Sequence, residues 1–387
     1  MPWREVSTMS ERCEFVKLAL AEGVSMTELC RRFHISPKTG YKWLQRFNAD
    51  GVEGLVDRSR RPRRSPRRTG GRLERVVLAM RETHPAWGGR KIAALLRGRG
   101  HEDVPSPSTI TAILRRRGCI DPAESPKHRA WHRFEHPVPN ALWQMDFKGH
   151  FALSRTGRCH PLTVLDDHSR FSLGLQACSN ETAVTVQQRL TCIFDRFGLP
   201  ERMLMDNGSP WSGQEVTDNT QLGVWLMRLG IRVTHGRPYP PQTQGKDERF
   251  HRTLQAELLG RQTWPDLLSC QRAFDRWRDV YNLERPHEAL SMAVPASRYR
   301  PSGRPFPAVL PPIDYGPDAI VRRVQGKGEI YFRGRVYRLG RAFIGHPVAL
   351  RPTVRDGQWR VVFCQQALGA VNEHVNHAPA LQRRNED

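Results

Sequence analysis

The 387-residue chain is short of acid: 39 Asp and Glu stand against 61 Lys and Arg, for a formal net charge of +22. Charge of one sign on this scale needs a polyanion, so nucleic acid is the expected partner. Paired cysteines are missing as well. The eight cysteines lie scattered at 13, 30, 119, 159, 178, 192, 270 and 364, with no C-x-x-C spacing. Cys30 and His34 have a ligand-like spacing but no second half, so structural zinc is not expected. The scatter fits a reducing compartment, where buried thiols behave as small apolar groups. No apolar run is long enough to span a bilayer, and the opening M-P-W-R-E-V-S lacks a signal core. The expectation is a soluble, cytoplasmic, nucleoid-associated protein without a membrane partner. A hydrophobic content of 38% is low but sufficient for folded modules. The length predicts about two to four of them.

Residues 1–57 read as a helix-turn-helix domain. Ser10 is placed to cap a first helix carrying Phe15, Val16, Leu18 and Leu20. Met26, Leu29, Cys30 and Phe33 then share a face at three- and four-residue steps. Ser36 and Pro37 stand as N-cap and first residue of the next helix, which is expected to bury Tyr41 and Leu44, with Trp43 beside them. Lys38, Thr39 and Lys42 would then meet the major groove. Residues 58–72 form an arginine-rich linker that cannot build a core. Its Arg60, Arg61, Arg63 and Arg64 are suited to phosphates or to a narrow minor groove. Residues 73–122 repeat the helical theme, with Ser106 and Pro107 again at a helix start. A second basic linker covers 123–135.

From 136 to 300 strands alternate with helices, predicting a mixed sheet flanked by helices. Three acids sit in distinct local frames here. Asp146 lies in the strand-like W-Q-M-D-F, Asp206 closes the strand-like R-M-L-M-D, and Glu248 opens a helix in G-K-D-E-R-F-H-R-T-L. Oxygen-only ligands suit Mg²⁺ or Mn²⁺, and a pair of such ions drives in-line attack on a phosphodiester. Asp247 precedes Glu248, and adjacent helical residues point about 100° apart, so only one of the two can face the metals. Phe250, Leu254 and Leu258 mark the buried stripe. Glu248, Arg252 and Gln255 form the neighbouring one, which favours Glu248. Asp166 and Asp167 read as turn residues. Gln244, Lys246, His251 and Arg252 are candidates for DNA contact beside the acids, or plain surface. Residues 315–372 read as a small β-barrel presenting Arg333, Arg335 and Arg338 to DNA, and 373–387 as a loose tail.

The fold class expected is thus multidomain: two all-α helix-turn-helix modules, an α/β core and a β C-terminus. Taken together, W-Q-M-D-F, D-N-G-S-P-W, P-Q-T-Q-G-K-D-E-R-F-H-R-T-L and Y-N-L-E-R-P-H-E-A-L resemble the integrase-core DDE transposases of bacterial insertion sequences, relatives of retroviral integrases. The resemblance runs through nearly the whole chain. It implies an RNase H-like core in which Asp146, Asp206 and Glu248 converge on two Mg²⁺ or Mn²⁺ ions. It also implies cleavage at transposon ends, joining of the freed 3′-hydroxyls to target DNA, and homo-oligomers assembled on double-stranded DNA. The competing readings are a non-catalytic DNA-binding regulator and a simple nuclease. The first has no need of three acids facing DNA. The second leaves the tandem helical modules without a role.

Overall fold

The computed structural model describes residues 7–58, 69–121, 136–155, 157–211, 219–235 and 245–374. Arg60, Arg61, Arg63, Arg64 and Gln244 therefore lie outside the described residues. The chain divides into two units, Met1–Arg68 and Thr69–Asp387.

The first unit holds α1 (Thr8–Ala19), α2 (Met26–Arg32) and α3 (Pro37–Asp50), closed by a 3₁₀ turn at Gly51–Leu55. Ser7, rather than Ser10, caps α1, its hydroxyl accepting the Ser10 N–H at 3.1 Å. Ser36 caps α3 through the Thr39 N–H, as the Ser-Pro pair predicts. Phe15, Val16, Leu29, Cys30, Trp43 and Leu55 form the core. Tyr41 is not part of it and is 58% exposed. The reason is Gly40, whose bare Cα lets α3 sit against Cys30 and Phe15: a Cβ there would fall 2.6 Å and 2.9 Å from their atoms. Burying Gly40 and Trp43 turns Tyr41 outward, about 100° from Gly40 on the helix.

The second unit opens with α4 (Gly71–Thr83), α5 (Gly89–Gly98) and α6 (Pro107–Arg116) around Val77, Trp87, Ile92, Leu96, Ile110 and Leu114. Ser106 caps α6 through the Thr109 N–H. A mixed sheet follows, made of β1 (Trp143–Phe147), β2 (Phe151–Ala152), β3 (Arg158–Asp166), β4 (Ser172–Cys178), β5 (Arg202–Met205) and β6 (Arg232–His235). It runs β3-β1-β5-β6, with β2 and β4 also pairing β3. Pairs with β3 are antiparallel, whereas β1-β5 and β5-β6 are parallel.

Strand alternation gives the sheet two apolar faces. Trp143, Met145, Leu162, Val164, Met203 and Met205 pack with α7 (Ala183–Phe197) and α8 (Gln221–Arg228). Leu165, Leu175 and Ala177 pack with Phe250 and Leu254 of α9 (Gly245–Leu254) and with Phe274, Trp277 and Tyr281 of α10 (Leu267–Leu283). A π-helical turn, Gln255–Leu259, continues α9.

The helical module is tied to this second layer through Glu257, in that turn. Its carboxylate accepts from Trp87 Nε1 at 3.2 Å, Trp277 Nε1 at 3.3 Å and Arg285 Nε at 2.9 Å.

The C-terminal segment departs from the expected barrel. It forms an open four-stranded sheet, β12-β11-β10-β7, and a separate ribbon β8-β9. The strands are β7 (Ile320–Arg323), β8 (Glu329–Phe332), β9 (Arg335–Arg338), β10 (Pro347–Pro352), β11 (Gln358–Phe363) and β12 (Gln366–Asn372). Arg333 and Gly334, at φ 49° and 75°, turn the β8-β9 ribbon. Closure is unnecessary because the sheet's apolar face has another partner: Val348, Leu350, Val361 and Phe363 join the same core as α7 and α8. The Gln366 amide also imitates a strand at the β6 edge, pairing with Val233 N and O at 3.0 Å each. Arg333 is held by Glu373 at 2.5 Å and stacks over Trp359.

Candidate active site

Two of the three predicted acids are brought together by strand parity and register. On β1, Gln144 and Asp146 point away from Trp143 and Met145, toward α9 and α10. On β5, Leu204 and the following Asp206 do the same. The parallel pairing sets Trp143 opposite Met203 and Gln144 opposite Leu204. The same register carried on two residues sets Asp146 level with Asp206. Each carboxylate takes the N–H of the next residue, Phe147 at 2.8 Å and Asn207 at 2.7 Å. Burial pushes the Asp146 carboxyl up to about 6, against the Phe147 hydrogen bond and with the charges of Asp206 and Glu181 adding to the rise. A carboxylate that is costly to ionise beside a second one is what a divalent cation relieves, and the oxygen donors fit Mg²⁺ or Mn²⁺.

Helix α9 crosses over β1. Its buried residues are Asp247, Phe250, His251 and Leu254, the spacing of one helical face. Glu248 and Arg252 are exposed on the neighbouring face, four residues apart as their shared stripe predicts. His251 lies with Nδ1 3.9 Å from Asp146 Oδ2 and Nε2 2.9 Å from Thr163 Oγ1, and Thr163 donates to the Asp146 carbonyl. Burial and Lys148 lower the His251 imidazole to about 4, so it is neutral at physiological pH.

Lys246 pairs with Asp167, whose carboxylate also takes Gln144 Nε2 at 2.7 Å and the His136 N–H at 3.0 Å. The ammonium named as a DNA contact thus clamps the start of α9 to the sheet. Asp166 and Asp167 are more than turn residues, being nearly inaccessible. Asp166 accepts from Asn140 N, Ser169 N and Ser169 Oγ. His235 hydrogen-bonds the Asp206 carbonyl at 3.3 Å. In the first unit Lys38 and Lys42 are exposed on α3, and Lys42 lies over the Trp43 ring at 4.3 Å.

Sequence reasoning passed over one neighbouring group. His150, His160 and Glu181 bring their ligand atoms within 4.8 Å of one another. The guanidinium of Arg158 lies against His150 and opposes a cation there. It also left Asp247 out of the buried stripe, although stepping back from Phe250 and Leu254 reaches it.

The class that this sheet and its flanking helices define is the integrase core: the chain matches the integrase core domain at 136–241 and again at 229–295. Residues 319–377 match the IS481 family transposase C-terminal domain, 11–63 a helix-turn-helix domain and 39–114 a homeodomain-like domain. The resemblance to integrase-core DDE transposases of insertion sequences and to retroviral integrases is thereby borne out. The insertion element IS407 31.7 kDa protein of Burkholderia multivorans is 25% identical over 159 residues, 41% of this chain and 55% of that protein. A Gag-Pro-Pol polyprotein of squirrel monkey retrovirus is 34% identical over 121 residues, 31% of this chain. The chain spans about half the length of the first of these relatives and 6% of the second. A chain from the structure of the simian T-cell lymphotropic virus intasome in complex with PP2A regulatory subunit B56 gamma aligns at 16% identity and TM-score 0.39, covering 79% of this chain and all of that one. No helix among the described residues is long and apolar enough to cross a membrane.

Proposed function

We propose that this protein is a DNA transposase that binds the terminal inverted repeats of an insertion sequence, cleaves the ends and joins the 3′-hydroxyls to target DNA. The observation that carries this reading is the parallel pairing of β1, which holds Asp146, with β5, which Asp206 directly follows, on the face covered by the helix that bears Glu248. Asp146, Asp206 and Glu248 would hold the metal. Divalent ions held by these three carboxylates, two in number, would supply activation of the attacking oxygen and stabilisation of the leaving one. The protein's part is placement. The Lys246–Asp167 clamp orients α9 on the sheet, and neutral His251 and Thr163 brace the strand that carries Asp146. Lys38, Thr39 and Lys42 of α3 supply end recognition, Arg252 is positioned for phosphates beside Glu248, and assembly into a homo-oligomer pairs two ends.

Asp146→Asn, Asp206→Asn and Glu248→Gln are each expected to lower cleavage and joining about a hundredfold or more, while leaving binding to terminal-repeat duplex intact in gel-shift titrations. Joining at the wild-type rate by any one of them removes that residue from the site.

A further inference from the structure

Helix α9 carries two successive acids and turns the less expected one inward. Asp247 is 5% exposed and sits in the sheet-facing stripe with Phe250, His251 and Leu254. A helix packing on a sheet has no use for a carboxylate there, since burying one without compensation is among the costlier substitutions a core can contain. Its Oδ1 has no hydrogen-bond partner among the described residues. The nearby ammonium, Lys246, is engaged with Asp167, which Gln144 and the His136 N–H already satisfy. One turn along the same face from Asp247, His251 approaches Asp146, and burial, with the charges of Asp146 and Asp167 adding, pushes the Asp247 carboxyl well above the usual carboxylate range. Asp146, Asp167 and Asp247 thus lie close to one another on this face, with Lys246 and Lys148 as the neighbouring ammoniums.

We propose that Asp247 is a fourth carboxylate at the metal site, lending its negative charge from beneath α9 to the divalent cation held at Asp146 without ligating it, so that Glu248 remains the one ligand this helix supplies. The inference rests on the metal-site reading above and deepens it. It assigns a functional charge to a position where packing alone would place an apolar residue. The charge works by favouring cation binding, so its removal weakens affinity and does not disable a saturated site.

The test is direct Mn²⁺ binding to the full-length protein without DNA, followed by electron paramagnetic resonance of the free ion. Asp247→Asn keeps the shape and removes the charge, and Asp247→Val suits the apolar surroundings. Both are expected to weaken Mn²⁺ binding about tenfold, the scale on which supporting groups tune metal sites. In strand joining, Asp247→Asn should need correspondingly more Mn²⁺ yet reach the wild-type rate at saturation. Wild-type Mn²⁺ affinity in Asp247→Asn overturns the proposal, as does a joining defect that added Mn²⁺ does not recover. Wild-type affinity with a raised melting temperature in Asp247→Val would mark the position as a core filler, and so also overturn it. Asp146→Asn separates the two levels. If it keeps full Mn²⁺ affinity, the metal-site reading itself fails. If it loses affinity while Asp247→Asn does not, only the present inference fails.

Discussion

The two helical modules begin from the same local devices and use them differently. Each starts a helix with Ser-Pro: Ser36 caps α3 at Thr39 and Ser106 caps α6 at Thr109, with N···O distances of 3.3 Å and 3.2 Å. Each also has a glycine where two helices touch, Gly40 in α3 and Gly89 at the start of α5. In the first module the capped helix carries a buried Trp43 ringed by Arg12, Lys42 and Arg46, with Lys38 and Lys42 exposed. In the second, the buried aromatic is Trp87, whose indole N–H is committed to Glu257 of the integrase core. Arg99 pairs with Glu284 and Arg90 with Glu288, both at the end of the core. The same sequence pattern thus gives one module with a cationic aromatic helix and another that is structurally part of the unit holding the integrase core.

Glu257→Ala breaks that difference most severely. It leaves two indole N–H groups and the buried Arg285 guanidinium without their shared acceptor, an expected cost of about 3–5 kcal/mol. Hydrogen exchange measured by mass spectrometry should show lost protection in α4–α6 and α10, with α1–α3 unchanged. Unaltered exchange in α4–α6 would mean the module is held by its apolar contacts alone.

The glycines sharpen the comparison. A Cβ at Gly89 would lie 2.2 Å from the Pro107 carbonyl oxygen, a main-chain atom at the start of α6, whereas at Gly40 it meets the Cys30 thiol and the tip of Phe15. Gly89→Ala should therefore cost roughly 3 kcal/mol and Gly40→Ala about 1 kcal/mol, the upper and lower parts of the overpacking range. Equal losses in thermal unfolding would show that α5 and α6 separate as easily as side chains shift.

The smallest effect should be symmetrical. Ser36→Ala and Ser106→Ala each remove one cap, worth about 1 kcal/mol. Chemical denaturation of the two variants should therefore give similar losses. A much larger loss at Ser106 would show that docking on the core amplifies the cap.

Much of this architecture was legible along the chain because it rests on short-range physics. Ser-Pro caps, the 3.6-residue stripes and the alternation of strands act over a few residues, so W-Q-M-D-F read as a strand and G-K-D-E-R-F-H-R-T-L as a helix without any partner in view. Tyr41 was misplaced because the inward face of α3 is chosen by the close approach that Gly40 permits, a contact with α1 and α2. The barrel was misjudged for a similar reason. The strands of 315–372 were visible, but their apolar face is covered by the integrase core and the β6 edge is met by Gln366.

Local patterns along the chain carry the residue types and elements: three acids in their local frames, a basic surplus, capped helices in tandem and a β-rich end. Tertiary structure alone decided which groups meet. The register of β1 against β5 set Asp146 beside Asp206, and the docking of α9 turned Asp247 inward and Glu248 outward. The fold also committed Lys246 to Asp167 and Glu257 to the helical module. Those outcomes depend on contacts between residues far apart in the chain, where burial and the pairing of charges act, and no local pattern encodes which distant partner a side chain will find.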